Sequence, residues 1–164
     1  MQQYGNVGEK PAEWNVQQWL NLPSAKQTVQ LADYQGKILY LYCFQAWCPG
    51  CHSHGFPTLL ETQNHFKDSD DVEFVAIQTV FEGFEQNTLD AAGQVIKRHG
   101  LSMPVGHDPG PDGRRSWILE NYHTGGTPWA IIIGKDGIVR YSDFRLSTSE
   151  AVGLINQLQT MKMK

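Results

Sequence analysis

Apolar residues along this chain fall into short blocks separated by polar and turn-forming stretches. Ile38 to Phe44 is an unbroken apolar run, short enough for a strand buried on both faces. Val72 to Val80 predicts a second buried strand, and Met103 to Gly106 a shorter one. Ala130 to Ile133, the turn Gly134-Lys135-Asp136-Gly137 and Ile138 to Asp143 form a strong hairpin pattern, because Asp-Gly readily takes the positive φ of a tight turn. Elsewhere the period lengthens. Phe56, Leu59, Leu60 and Phe66 recur at helical spacing with Pro57 as a kink. Asn87 and Asp90 open a helix through His99, with Gly100 placed for a C-terminal cap. Ser116 to Tyr122 reads as a short helix. Ser147 and Glu150 have capping-box spacing ahead of Val152, Ile155, Leu158 and Met161. Near the start, Trp14, Val16 and Trp19 alternate with polar residues, as in a short strand or hairpin arm. The order β-β-α-β-α-β-α-β-β-α predicts an α/β fold, with parallel strands inside and an antiparallel hairpin at one side.

The length, 164 residues, suits a single domain over 1–164, and no repeat or linker divides it. With 40% apolar and 18% charged residues the chain can build a core. Its net charge of −4 and the lack of any basic run argue against a nucleic-acid partner. No apolar run approaches the roughly 20 residues of a membrane span, so no membrane insertion is expected. Met1 to Lys10 lacks the charged and apolar regions of a secretory signal. The chain as written is therefore expected in the cytoplasm, or in the periplasm if an export leader has been removed.

Three cysteines are too few for a disulfide scaffold and read as chemistry. Cys48 and Cys51 stand where the first buried strand gives way to a helix. With Cys48 at the N-cap, Pro49 takes the first helical position, where its missing N–H costs nothing. Free N–H groups and the helix dipole then face the Cys48 sulfur and lower its pKa below the usual value of about 8.5. Cys48 is thus the expected attacking thiolate and Cys51 the resolving thiol. Cys43, inside the strand, reads as a core residue. His52 and His54 invite a zinc reading, but Cys48, Cys51, His52 and His54 are too crowded to wrap one ion, and no metal is expected. His65, His99, His107 and His123 are scattered and read as solvated. Cys48-Pro49-Gly50-Cys51-His52 also matches the c-type haem attachment pattern, which leaves a haem-binding electron carrier open.

Four segments in order make a resemblance specific: Leu31-Ala32-Asp33-Tyr34-Gln35-Gly36-Lys37; Trp47-Cys48-Pro49-Gly50-Cys51 after its strand; Met103-Pro104-Val105 with Asp108, ahead of Tyr122 and Gly125-Gly126-Thr127-Pro128; and Ile131-Ile132-Ile133 before Lys135-Asp136-Gly137. The chain resembles the TlpA/ResA-like redoxins of the thioredoxin superfamily. The resemblance implies a mixed central sheet flanked by helices, a redoxin-type N-terminal hairpin, and a central insertion over Phe81 to Gly113. It also implies a cis Thr127–Pro128 bond opposite the dithiol. Thr127 and Pro128, with Trp47, Pro49 and Gly50, would then shape the substrate site. Pro128 beside the sulfur would keep a metal from the pair. Two departures stand out. Tyr42 occupies the place of the thioredoxins' buried aspartate. His54 stands where some ResA-like proteins carry a glutamate, and imidazole, with a pKa near 6.5, suits a proton acceptor for Cys51. Trp129, where a small residue is commoner, would join Trp47 in an aromatic groove lining. A thiol peroxidase is a further alternative, although Gln45 and Leu41 stand where peroxiredoxins carry Thr and Pro.

The expected activity is therefore protein thiol–disulfide exchange by a monomer. It needs no cofactor beyond the dithiol. Its partners would be a protein or small-molecule disulfide or thiol and a separate electron donor or acceptor.

Overall fold

A computed structural model describes residues 4–23 and 25–161; both ends of the expected 1–164 domain lie outside the described residues. Six strands form one sheet: β1 (Gln18–Leu20), β2 (Ile38–Phe44), β3 (Val72–Thr79), β4 (Val105–Asp108), β5 (Trp129–Ile133) and β6 (Val139–Asp143). Their order is β1-β4-β3-β2-β5-β6. β2, β3 and β4 run parallel, while β1, β5 and β6 are antiparallel to their neighbours. The apolar run of β2 lies at the centre because both of its faces are covered. Ile38, Tyr40, Tyr42 and Phe44 point into one cluster, and Leu39, Leu41 and Cys43 into the other.

The first cluster is closed by α1 (Phe56–His65), α2 (Leu89–His99) and α4 (Thr148–Thr160). The second is closed by α3 (Trp117–Tyr122) and the N-terminal arm. α2 and β4 make up the expected central insertion. Helix ends follow local chemistry. Thr88 caps α2 by accepting from the Ala91 amide, and Gly100 ends it at φ 64°. Ser116 and Ser147 cap α3 and α4.

Two expectations change. The N-terminal segment is not a hairpin: β1 is a three-residue strand that pairs with β4, while Trp14 and Val16 lie buried ahead of it. Gly106 makes this possible, since a β-carbon there would meet the Trp19 ring at 3.0 Å and Val16 at 3.2 Å. The irregularity expected at Pro57 lies a turn earlier. Residues Cys51–Gly55 form a wide turn in which the Phe56 amide donates to the Cys51 carbonyl. Such wide turns tend to occur at functional sites. No helix among the described residues is long and apolar enough to cross a membrane.

Candidate active site

β2 delivers the chain to a tight loop, and Cys48 caps the helical segment that follows. The Cys51 amide donates to both the carbonyl and the sulfur of Cys48, each at 3.2 Å. Cys48 is half-buried, Cys51 is fully buried, and both are free thiols. The two behave oppositely. Cys48 is lowered to about 6, chiefly because the Cys51 thiol donates to its sulfur. Burial opposes that shift, while the Thr127 hydroxyl, the Cys51 amide and the charge of His52 add to it. Cys51 is pushed well above the ordinary thiol range by burial and by its neighbour Cys48. One sulfur is thus favoured as the thiolate and the other as the thiol.

Thr127 and Pro128 face this pair. The bond between them is cis, and a β-carbon on Gly50 would touch Pro128 at 3.4 Å. Thr127 is set in turn by Gln45, whose amide donates to the threonine oxygen at 3.3 Å and whose carbonyl oxygen accepts from the Phe81 amide at 3.2 Å. Trp47 is 47% exposed beside the dithiol and lies over Gly83, where a β-carbon would stand 2.7 Å from its ring. Pro49 is exposed as well.

Several expected placements are different. His54 is exposed, and its Nε2 donates to the Leu146 carbonyl at 3.2 Å. Tyr42 is the side chain that meets Cys51: its hydroxyl donates to the Cys51 carbonyl at 3.0 Å and interacts with the Cys51 thiol. Trp129 does not line a groove. It is buried, donates to Ser142 Oγ at 2.9 Å and packs edge-on against Phe144. Two of the histidines read as solvated are engaged: His107 is buried against the Gln78 amide, and His99 meets His52. Cys43 is fully buried on the opposite side of β2 from Cys51, and burial pushes its thiol up. Among the described residues, no three His, Cys, Asp or Glu side chains come together as a metal centre.

The polar scaffold of the loop was not legible beforehand. The Gln78 side-chain oxygen accepts from the Ala46 amide at 2.8 Å, and Gln78 Nε2 donates to the Thr88 carbonyl. Asn87 Oδ1 accepts from the Trp47 amide at 3.0 Å. All three amides, Gln45, Gln78 and Asn87, are buried, and a buried amide with its partners satisfied fixes backbone position. The only sequence signal was Gln78 itself, following the apolar run Phe74 to Ile77 in β3.

Comparison with known proteins matches the geometry. A family model described as the AhpC/TSA family matches residues 7–142. A thioredoxin-like superfamily protein of known structure superposes at a TM-score of 0.85 with 32% identity, covering 94% of this chain and 99% of its own. A thiol-disulfide isomerase from Corynebacterium glutamicum gives 0.77 with 25% identity over 96% and 98%. A DsbF homologue from Corynebacterium diphtheriae shares the fold, at 0.67 with 19% identity over 93% and 86%. No curated protein matches the chain.

Proposed function

Since the chain belongs to the AhpC/TSA family, thioredoxin-superfamily redoxins with thiol redox function, we propose that it is a protein thiol–disulfide oxidoreductase working through Cys48 and Cys51. The observation that carries this reading is the asymmetry of the two thiols: Cys48 is accessible and lowered to about 6, while Cys51 is buried and raised. In the reductive direction the Cys48 thiolate attacks a substrate disulfide. A Cys48–substrate bond forms, and the other substrate sulfur leaves as a thiolate that takes a proton from water. Cys51 then loses its proton and attacks the Cys48 sulfur, releasing the second substrate thiol and leaving Cys48–Cys51 oxidised. Two electrons have moved to the substrate, and a separate thiol donor restores the pair. Run backwards, the same steps oxidise a dithiol. The dithiol is the whole redox group in this reading.

Thr127 and Pro128 form the wall opposite Cys48, and Trp47 an exposed flank for the substrate chain. The haem alternative is weakened by His52, both of whose ring nitrogens are already bonded, and by the complete burial of Cys51. A peroxidase has less support, because the position preceding the cysteine loop holds Gln45, committed to Phe81 and Thr127.

Insulin reduction with a dithiol donor tests the reading. Cys48→Ala is expected to abolish turnover, and Cys51→Ala to accumulate a mixed disulfide at Cys48. Turnover by Cys48→Ala at the wild-type rate would overturn it.

A further inference from the structure

Two histidines far apart in sequence meet beside the dithiol and are not used by the chemistry above. His52 Nε2 lies 2.6 Å from the Ala46 carbonyl, and His52 Nδ1 lies 2.8 Å from His99 Nε2. The two rings are nearly parallel, 9° apart, and both stack on Phe56. A carbonyl only accepts, so His52 Nε2 carries hydrogen in every state. Protonation is therefore decided at the nitrogens that face each other. With the pair neutral, His99 Nε2–H donates to His52 Nδ1. With one added proton the bond persists, and an imidazolium donates to a neutral ring. A second added proton would set two N–H groups against each other and break it. The pair thus holds one positive charge without rearranging.

That charge belongs on His52. Burial, His52 itself and the neighbouring Arg98 all disfavour a charged His99. His52 is also the member whose charge acts on the Cys48 sulfur. Cys48 on the dithiol turn interacts with His52, Arg98 on α2 acts on His99, and Lys97 on α2 lines the cavity beside His52. A cavity of about 620 Å³ lined by His52, Trp47, Lys97 and Arg98 includes no carboxylate among its described lining residues. Cys48 is therefore the anionic partner on offer. Phe56, on α1, is a neutral platform.

We propose that His52 and His99 form a proton-sharing pair whose single charge, carried by His52, adds to the stabilisation that the Cys51 thiol gives the Cys48 thiolate. His52 is a positioning residue that acts through its field and its grip on the Ala46 carbonyl, and His99 acts through His52. This rests on the oxidoreductase reading and adds a linkage to it. When Cys48 becomes part of a disulfide its negative charge is gone, the pair loses its counter-charge, and its affinity for the proton falls.

The test is the pH dependence of Cys48 alkylation by iodoacetamide in the reduced full chain, read beside insulin turnover. His52→Gln keeps an amide donor for the Ala46 carbonyl but carries no charge. It should move the alkylation midpoint upward by about half a unit, roughly threefold less thiolate at pH 5.5. His99→Phe keeps a ring on Phe56 and should move it the same way by less. Imidazole 15N shifts in the unsubstituted protein read the same step without a variant. Those of His52 and His99 should titrate together, and at higher pH in the reduced than in the oxidised protein. Insulin turnover with a wild-type-like midpoint in His52→Gln would overturn the pairing proposal alone, as would independent or redox-insensitive titration of the two rings. Loss of both turnover and any thiolate step in the wild-type chain would remove the oxidoreductase reading beneath it.

Discussion

Gly55 lies so close to Tyr42 that a β-carbon built on it would stand 1.9 Å from the tyrosine oxygen and 2.6 Å from the ring. The absent side chain lets a tyrosine enter the space beneath the dithiol turn and donate to the Cys51 carbonyl. Glycine is required here by close approach, since the Gly55 backbone is ordinary helical.

Gly55→Ala should therefore cost about 1–3 kcal/mol, because Tyr42 is fully buried and has nowhere to retreat. Tyr42→Phe should cost only about 1 kcal/mol, since the Cys51 carbonyl keeps the Phe56 amide. It should also slow release of mixed disulfides, because the tyrosine hydroxyl favours the Cys51 thiolate. Urea denaturation of the two single variants and the double variant checks the relationship. The double should cost less than the sum, since removing the hydroxyl relieves part of the clash.

Cys48 makes the stability of the reduced protein depend on pH with a definite sign. Its folded pKa of about 6 lies below the unfolded value of about 8.5, so the folded state holds the thiolate more readily. The stabilisation is absent below about pH 6 and grows as pH rises toward the unfolded value. Above that value Cys51, shifted the other way, works against it. The reduced wild type should therefore gain on Cys48→Ser between pH 5.5 and 8. Paired urea titrations at the two pH values remove contributions common to both proteins. A constant difference would show that the thiolate is not favoured in the folded state.

The backbone amides of Ala46 and Trp47 end on Gln78 and Asn87. Gln78→Ala should leave the Ala46 amide unpaired next to a buried hole and cost about 1–3 kcal/mol. It should also loosen the loop that presents Cys48. Hydrogen exchange at Ala46 should speed up more than at β3 amides, and insulin turnover should fall. Equal acceleration throughout would mean a global loss of stability instead.

What was legible in the sequence was mostly local. The Ser147–Glu150 capping box, the stop at Gly100 and the Lys135-Asp136-Gly137 turn each depend on residues within a few positions, and all appear as read. The dithiol turn was legible for the same reason, since Cys48, Pro49 and Cys51 carry their geometry in their spacing. What could not be read required contacts across the chain. The partners of His52 and Gln45 lie at His99 and Thr127, on other elements. Trp129 looked like a groove residue because its neighbour Pro128 is one. Its position in the β2–β5 register, opposite Cys43, turns it into the core instead. The N-terminal segment is the short strand its alternation suggests, but the hairpin alternative fails because its partner is the edge of β4, which no local pattern announces.

Asp108, at the end of β4, gathers four donors around one buried carboxylate. Oδ2 accepts from Ser116 Oγ at 2.6 Å and the Ile118 amide at 2.8 Å, and Oδ1 from the Trp117 amide at 3.0 Å and the Gly110 amide at 3.2 Å. It thereby caps α3 from outside and locks the insertion's last strand to the helix that leads toward Thr127. Asp108→Ala would strand several donors in a buried site and should cost at least about 3 kcal/mol. Asp108→Asn keeps the shape but replaces one acceptor oxygen with a donor. The Ser116 hydroxyl can turn round to accept from it, but backbone amides cannot, so a substantial loss should remain. Urea midpoints should fall in the order wild type, Asn, Ala. Hydrogen exchange should rise first at Ile118 and Leu119 while β2 stays protected. If α3 exchanged no faster in Asp108→Ala, the carboxylate would not be what holds that helix in place.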